Sequence, residues 1–130
     1  MSEELELSVD FAVTSCRIYE AWLDSRDHGQ FTGSAAEIDP RVGGEFTAWD
    51  GYISGQTLAL EHCRRILQSW RTTEFPPEAP DSLLEVLIDD VNQGARLTLR
   101  HTLIPDGQAD QYREGWQDFY FKPMLEFFTD

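Results

Sequence analysis

His101 is the polar residue of this sequence that is best placed to take part in chemistry. It lies in the segment LTLRHTL and alternates with Leu97, Leu99 and Leu103, so in a strand its side chain shares the inward face with theirs. A neutral imidazole that lines a cavity can donate or accept a hydrogen bond and thereby orient a ligand. The alternative is a core histidine whose hydrogen bonds are satisfied internally, which is the commoner situation for a single histidine among leucines.

Two glutamines offer a similar ligand-orienting role. Gln56 and Gln68 each lie in a segment with strand character, and a buried amide both donates and accepts hydrogen bonds. The alternation pattern leaves the direction of both side chains open.

The sequence predicts neither a metal site nor a bound cofactor. His28, His62 and His101 are far apart, and no pair has the spacing of a zinc-binding helix or knuckle. Cys16 and Cys63 are the only cysteines, and their separation fits neither a metal motif nor a redox motif. We therefore expect both to be reduced thiols.

Clusters of charge are better explained as solvated surface than as sites. Asp89 and Asp90 lie beside a turn, and Arg64, Arg65 and Arg71 lie along one segment with strand character. The arginines have a second interpretation, as the edge that meets an acidic partner. The sequence contains no phosphate-binding glycine loop and no recognisable nucleophile motif.

The net charge excludes two classes of partner. The formal charge is −14 at pH 7, so nucleic acids and anionic membranes are repelled at long range. Lys122 is the one lysine among ten basic residues, and this bias suggests a high-salt cellular environment, in which screening weakens self-repulsion. No apolar run is long enough to span a membrane, and the start MSEELELSVD is acidic. We therefore expect a cytoplasmic protein.

The elements that must position these residues are mostly strands. Alternation of apolar and polar residues predicts a strand over residues 5–13. Thr14 or Ser15 is then expected to cap a short helix that ends near Asp24, and residues 25–33 to form a loop or one loose helical turn. Further strands are predicted over residues 35–38, 45–49, 52–61, 62–72, 82–91 and 95–104. Hairpin-type turns between them indicate an antiparallel sheet.

The last segment carries a broad aromatic stripe. Residues 112–128 place apolar side chains at spacings of three and four, which predicts an amphipathic helix lying on the sheet. Pro123 lacks an amide hydrogen, so we expect a kink there. The stripe is either ordinary core or the lid of a hydrophobic cavity. Nothing in the 130 residues suggests a linker, so a single α+β domain over residues 1–130 is expected.

Six segments together resemble a known family. They are Trp22-Leu23, AEIDPRVGGEF (36–46), GYISGQTLAL (51–60), RRILQSWR (64–71), GARLTLRHTLIP (94–105) and EGWQDFY (114–120). Nearly the whole chain is similar to the domain homologous to the activator of heat-shock-protein-90 ATPase, within the START-like (SRPBCC) superfamily that includes the birch pollen allergen. The chain departs from that pattern at Lys122-Pro123, where the family usually continues its final helix.

The resemblance implies a helix-grip fold, in which a curved antiparallel sheet of about six strands wraps around a long C-terminal helix, with one or two short helices after the first strand. It also implies three functions: binding of a small apolar or aromatic ligand, association with a chaperone, or a cyclase or dehydratase activity. We expect the first of these functions, and we favour a binding protein over an enzyme. The residues expected to line the ligand cavity are Trp22, Phe46, Leu58, Trp70, Leu99, His101, Trp116, Phe119 and Tyr120.

Overall fold

The structure, a computed structural model, describes residues 2–129. Within them one sheet contains seven antiparallel strands in the order β1-β7-β6-β5-β4-β3-β2. The strands are β1 (Ser2–Phe11), β2 (Glu37–Ile38), β3 (Glu45–Ala48), β4 (Ile53–Glu61), β5 (Arg65–Thr72), β6 (Ser82–Val91) and β7 (Gly94–Pro105). Together with the helices described below, they confirm the predicted helix-grip architecture.

Two short helices follow β1. Helix α1 (Ser15–Leu23) begins where the Thr14 hydroxyl accepts a hydrogen bond from the Arg17 amide, as an N-cap residue should. Helix α2 (Ser25–Thr32) replaces the predicted loop or loose turn. The Asp24 carboxylate caps its first turn, and Gly33, at φ 79°, ends it in a left-handed conformation. The capping residue Asp24 and the terminating residue Gly33 are both recognisable in the sequence. The segment was nevertheless predicted as a loop or loose turn, because it contains Gly29 and few apolar residues.

The C-terminal helix has an irregular middle. It comprises α3 (Ala109–Gly115), a π-helical segment (Trp116–Phe121) and α4 (Lys122–Phe127). In the π segment the Lys122 amide donates to the Gln117 carbonyl, five residues earlier. The irregularity expected at Pro123 therefore takes the form of a π segment one turn before it. Pro123 itself lies in the first turn of α4, where a missing amide hydrogen is tolerated.

The core lies between the sheet and the helices. Strand β7 contributes Leu97, Leu99 and His101 to it, all fully buried. Leu103 was expected to share that face but is exposed, because its backbone has φ 59° and breaks the alternation, so that Ile104 is buried instead.

The two cysteines form a disulfide, so the expectation of reduced thiols was wrong. Cys16 lies in the first turn of α1, and Cys63 lies in the turn between β4 and β5, 47 residues later. Sequence spacing could not show that this turn lies against the helix.

The outer face of the sheet is held by ion pairs. Arg65 donates to Glu85 at 2.6 Å, and Arg71 donates to Asp81 at 2.7 Å. These two arginines are therefore engaged by carboxylates of the chain itself. None of the helices in residues 2–129 is both long enough and apolar enough to cross a bilayer.

Candidate ligand cavity

An aromatic cavity of about 340 Å³ lies between the C-terminal helix and the β3–β4 end of the sheet. Tryptophan, tyrosine and phenylalanine side chains form most of its wall. Its lining residues are Trp49, Tyr52, Ile53, Trp70, Gln111, Tyr112, Gly115, Trp116, Phe119 and Tyr120.

The cavity exists partly because residue 115 is a glycine and has no side chain to fill it. It lies in a regular helical conformation at φ −61°, and a Cβ atom built on it would meet no atom within 4 Å. A side chain at this position would therefore project into the cavity. The glycine at this position therefore keeps part of the cavity open.

The aromatic walls are held by ring contacts. Trp70 and Trp116 have ring centroids 5.5 Å apart, and Trp49 meets Phe119 edge to face at 5.6 Å. Phe119 is 58% exposed and lies at the mouth of the cavity. Edge-to-face pairs of this kind add stability beyond the area that they bury.

The hydroxyl groups of Tyr52 and Tyr112 in the cavity wall are already paired with the protein. The Tyr112 hydroxyl donates to Gln108 and, because that hydrogen is used, accepts from Thr72 at 2.7 Å. The Tyr52 hydroxyl donates to the Glu74 carboxylate. Burial raises the pKa of both phenols. The tyrosines thus present neutral ring surface to the cavity.

His101 lies behind the cavity wall in a hydrogen-bonded chain. The Ser82 hydroxyl donates to the Trp70 carbonyl at 2.6 Å, so His101 Nε2 must donate to Ser82 Oγ, at 2.8 Å. The Trp116 indole donates to His101 Nδ1 at 3.2 Å. A second proton on His101 would face the indole N–H, and burial lowers the pKa of His101 to about 3. His101 is therefore a satisfied neutral core residue.

His28 forms an analogous link between α2 and the C-terminal helix. Its Nδ1 donates to the Trp22 carbonyl at 2.9 Å, which leaves Nε2 to accept from the Tyr120 hydroxyl at 2.8 Å. Burial lowers the pKa of His28 to about 4. The Trp22 indole in turn donates to the Gln68 carbonyl oxygen, and the Gln68 amide donates to Thr57, each at 3.3 Å.

The structure divides the nine predicted site residues into four groups, the last of which is Leu58 alone. Trp70, Trp116, Phe119 and Tyr120 line the cavity. Trp22 and Phe46 surround a separate space of about 10 Å³, no larger than one water molecule. Leu99 and His101 are buried and do not line the cavity.

Leu58 lies outside the cavity. It is 41% exposed because Thr57 takes the inward position and the register shifts between Thr57 and Ala59. Gln56 is exposed as well, and it lines an open polar depression with Glu37, Asp39 and Glu45 rather than the aromatic cavity.

Six lining residues were absent from the prediction: Trp49, Tyr52, Ile53, Gln111, Tyr112 and Gly115. Trp49 and Tyr52 flank the Asp50-Gly51 turn, and this pair of aromatics around a hairpin signal was a usable indication. Tyr112 belongs to the predicted aromatic stripe and Gly115 to the same predicted helix, one turn before Trp116 and Phe119.

The sequence of this chain is similar to those of a known protein family. The sequence profile of the family described as Activator of Hsp90 ATPase homolog 1-like protein matches residues 12–127. Activator of 90 kDa heat shock protein ATPase homolog 1 from Homo sapiens is 25% identical over 125 residues, covering 96% of this chain and 37% of that protein. The chain thus spans little more than a third of this curated relative.

The solved structures that share the fold include an Hsp90 activator and a protein named Ara h 8.0201. The crystal structure of an HSP90 activator from Plasmodium falciparum has a TM-score of 0.83 and 25% identity, with 89% of each chain covered. Ara h 8.0201 has a TM-score of 0.76 at 12% identity, covering 98% of this chain and 97% of the other. At that identity the second likeness concerns the fold alone.

Proposed function

The chain belongs to the Activator of Hsp90 ATPase homolog 1-like family, and within that family we propose that it binds a small apolar or aromatic molecule between its sheet and its C-terminal helix. The observation that supports this function is the aromatic cavity of about 340 Å³. Ligand sites in proteins usually measure about 300 to 1,000 Å³ and are lined mainly by apolar and aromatic side chains.

The lining indicates the chemical class of the ligand. Among the described residues, none of the side chains that line the cavity carries a charge at neutral pH, and Gln111 is the only amide. A charged ligand would lose its hydration without gaining a partner. A flat, neutral molecule would instead stack against the rings of Trp70, Trp116 and Phe119.

We assign the predicted residues different parts in this function. Trp70, Trp116, Phe119 and Tyr120 contact the ligand. Trp22, Phe46, Leu99 and His101 hold those rings from behind. Leu58 has no part in it.

Filling the cavity tests the proposal. Native mass spectrometry of the purified protein should detect a co-purified small molecule, and the neutral aromatic probe N-phenyl-1-naphthylamine should bind at a one-to-one ratio with a rise in fluorescence. Gly115→Leu should weaken probe binding by about tenfold or more, a loss of about 1.4 kcal/mol or more. It should keep the fold, because the position is helical and open.

Leu58→Ala is the matched control, since it removes an exposed leucine on the other face of the sheet. It should bind the probe like the parent protein. Equal probe affinity in folded Gly115→Leu and the parent would show that the cavity is not the binding site.

The comparisons favour a second candidate function, contact with a chaperone. A human relative and a structurally similar Plasmodium falciparum protein are named as Hsp90 activators. The ATPase rate of the cognate Hsp90-type chaperone should then change at saturating amounts of this protein. An unchanged rate would remove the candidate for this chain.

The cyclase or dehydratase alternative receives no support from the cavity. Such a reaction needs an acid and a base that converge on the substrate. His101, the one residue assigned to it, has both ring nitrogens engaged behind the wall.

A further inference from the structure

We propose that reduction of the Cys16–Cys63 disulfide creates a zinc site, with the two thiolates and the His62 imidazole as ligands and water in the fourth position. The site is distinct from the aromatic cavity. The cavity reaches Ile53 at the start of β4, whereas the cysteine pair lies beyond the opposite end of that strand.

The ligand atoms are already close together. The two Sγ atoms and a His62 ring nitrogen lie within 4.8 Å of one another. Two thiolates on one tetrahedral zinc ion, at Zn–S distances of about 2.3 Å, stand about 3.8 Å apart. Once the S–S bond is broken, movements of one to two ångströms therefore suffice to place all three ligands around one ion.

The local structure allows such movement. His62 and Cys63 lie in the turn that joins β4 to β5, and His62 is exposed. Its ring makes an edge contact with Tyr19 at a centroid distance of 5.5 Å, which holds it on the side of α1 that carries Cys16. Cys16 lies in the first turn of that helix. The site thus joins the first turn of a helix to the turn between two strands.

The donor set selects the ion. Two thiolates and one imidazole suit zinc, and three protein ligands with one open position form a set known from catalytic zinc sites. Calcium and magnesium prefer oxygen ligands and are excluded by the two sulfurs.

The chemistry balances as a thiol–disulfide exchange. A dithiol reductant gives two electrons and two protons to the S–S bond, leaving two cysteine thiols and the oxidised reductant as a disulfide. Zinc binding then releases one proton from each thiol, because the thiolate is the ligand. The chain accordingly holds a disulfide under oxidising conditions and zinc under reducing ones.

Cobalt titration of the intact protein tests the site. After reduction with a phosphine, which does not compete for metal as a dithiol does, one equivalent of Co²⁺ should produce thiolate-to-cobalt charge-transfer absorption and the visible bands of tetrahedral cobalt. Zn²⁺ should displace it and raise the melting temperature of the reduced protein. The oxidised protein should show neither effect.

Variants separate the three ligands. His62→Ala leaves the disulfide intact, so its fold can be verified before reduction, and it should lower metal affinity by about tenfold or more. Cys16→Ser and Cys63→Ser should each lose the charge-transfer band. Glu61→Gln is the control, because this carboxylate neighbours His62 but pairs with Arg65, and it should bind cobalt normally. Absence of one-to-one binding by the reduced protein, or full affinity in His62→Ala, would overturn the proposal.

Discussion

Hydrogen bonding fixes the protonation state of the two buried histidines. His28 and His101 each donate from one ring nitrogen and accept at the other. A second proton would remove the acceptor and place an unpaired charge in the core. Both side chains therefore connect a helix to the rest of the core in their neutral form, and the stability of the fold becomes sensitive to acid.

Stability should fall as the pH decreases below about 6.5. The pKa of His28 is lowered to about 4 and that of His101 to about 3, against 6.5 for an ordinary histidine. The unfolded chain thus binds more protons at pH 5, so the free energy of unfolding decreases on acidification and stops decreasing only below the folded pKa values. At about 1.4 kcal/mol per pH unit, each histidine removes about 2 kcal/mol between pH 7 and pH 5.

Urea unfolding at pH 8, 7, 6 and 5 measures this dependence. NMR of the folded protein adds a direct check, since the His28 and His101 imidazole signals should not titrate above pH 5. A free energy of unfolding that is constant between pH 7 and pH 5 would contradict the assignment.

Trp116 should be the most sensitive aromatic of the C-terminal helix. It is buried, packs against Trp70 and donates to His101. Trp116→Ala should cost about 3 to 5 kcal/mol through the cavity that it leaves. Trp116→Phe should fold, but it leaves His101 Nδ1 without a donor, at a cost of about 1 to 3 kcal/mol.

Urea midpoints of the purified variants provide the comparison for Trp116. Phe119→Ala is the control, because that ring is 58% exposed, and its midpoint should change little. A Trp116→Ala protein with the midpoint of the parent would show that this side chain does not support the core.

Alternation of apolar and polar residues indicates the face on which a strand residue lies, but not the side chain that it contacts. Alternation in β7 correctly buried Leu99 and His101. It failed for Leu103, because a positive φ breaks the period of two. The expectation that Leu58 lines the cavity also failed, because β4 has a register shift between Thr57 and Ala59. The Trp116–His101–Ser82 chain joins three elements, and no local pattern encodes such a meeting.

The π-helical segment determines which side chains of α4 face the core. One extra residue in a helical turn rotates the following side chains by about 100° relative to a regular helix. In the observed arrangement Met124 is fully buried and Leu125 is 41% exposed. The core contact of Met124 thus depends on the π segment.

Paired substitutions in α4 test this register. Met124→Ala should cost about 2 to 5 kcal/mol, the usual range for a buried methionine. Leu125→Ala should change the free energy of unfolding by less than about 1 kcal/mol. Thermal or urea unfolding measures both, and a reversed order would show that Met124 does not face the core.

Long, strongly patterned elements were the predictable ones. Strand β6 was predicted with the bounds that the structure shows, and β7 to within one residue at each end. For helix α2 the residue pattern predicted only a loop or one loose helical turn, because three of its eight residues are buried and a glycine interrupts it. The family resemblance had allowed a second short helix there. The π segment depends on tertiary packing around Trp116, which helical spacing alone does not reveal.

The large negative net charge opposes the compactness of the protein. The net charge of −14 is spread over a chain whose described arginines largely pair with nearby carboxylates. Exposed pairs of this kind contribute about 0 to 1 kcal/mol each, so they do not offset the repulsion among the remaining carboxylates.

Added salt should therefore stabilise the protein. Raising the salt concentration from about 0.01 M to 1 M shortens the screening length from about 30 Å to about 3 Å, which weakens repulsion across the surface. The melting temperature should rise between dilute buffer and 1 M potassium chloride. Sucrose at matched osmolality serves as the control for general exclusion effects, and equal melting temperatures at both salt concentrations would contradict the prediction.

The pairing of β1 with β7 also constrains when the fold can form. Ser2 is opposite Pro105 and Phe11 is opposite Ala95, so the first strand pairs only with the last one. At synthesis rates of about 5 to 20 residues per second, β1 waits roughly 5 to 20 s for its partner. During that interval Glu4, Glu6 and Asp10 keep one face of the strand charged, which discourages pairing with other chains. The fold closes late, and its earliest segment must remain unpaired until synthesis has reached the end of the sheet.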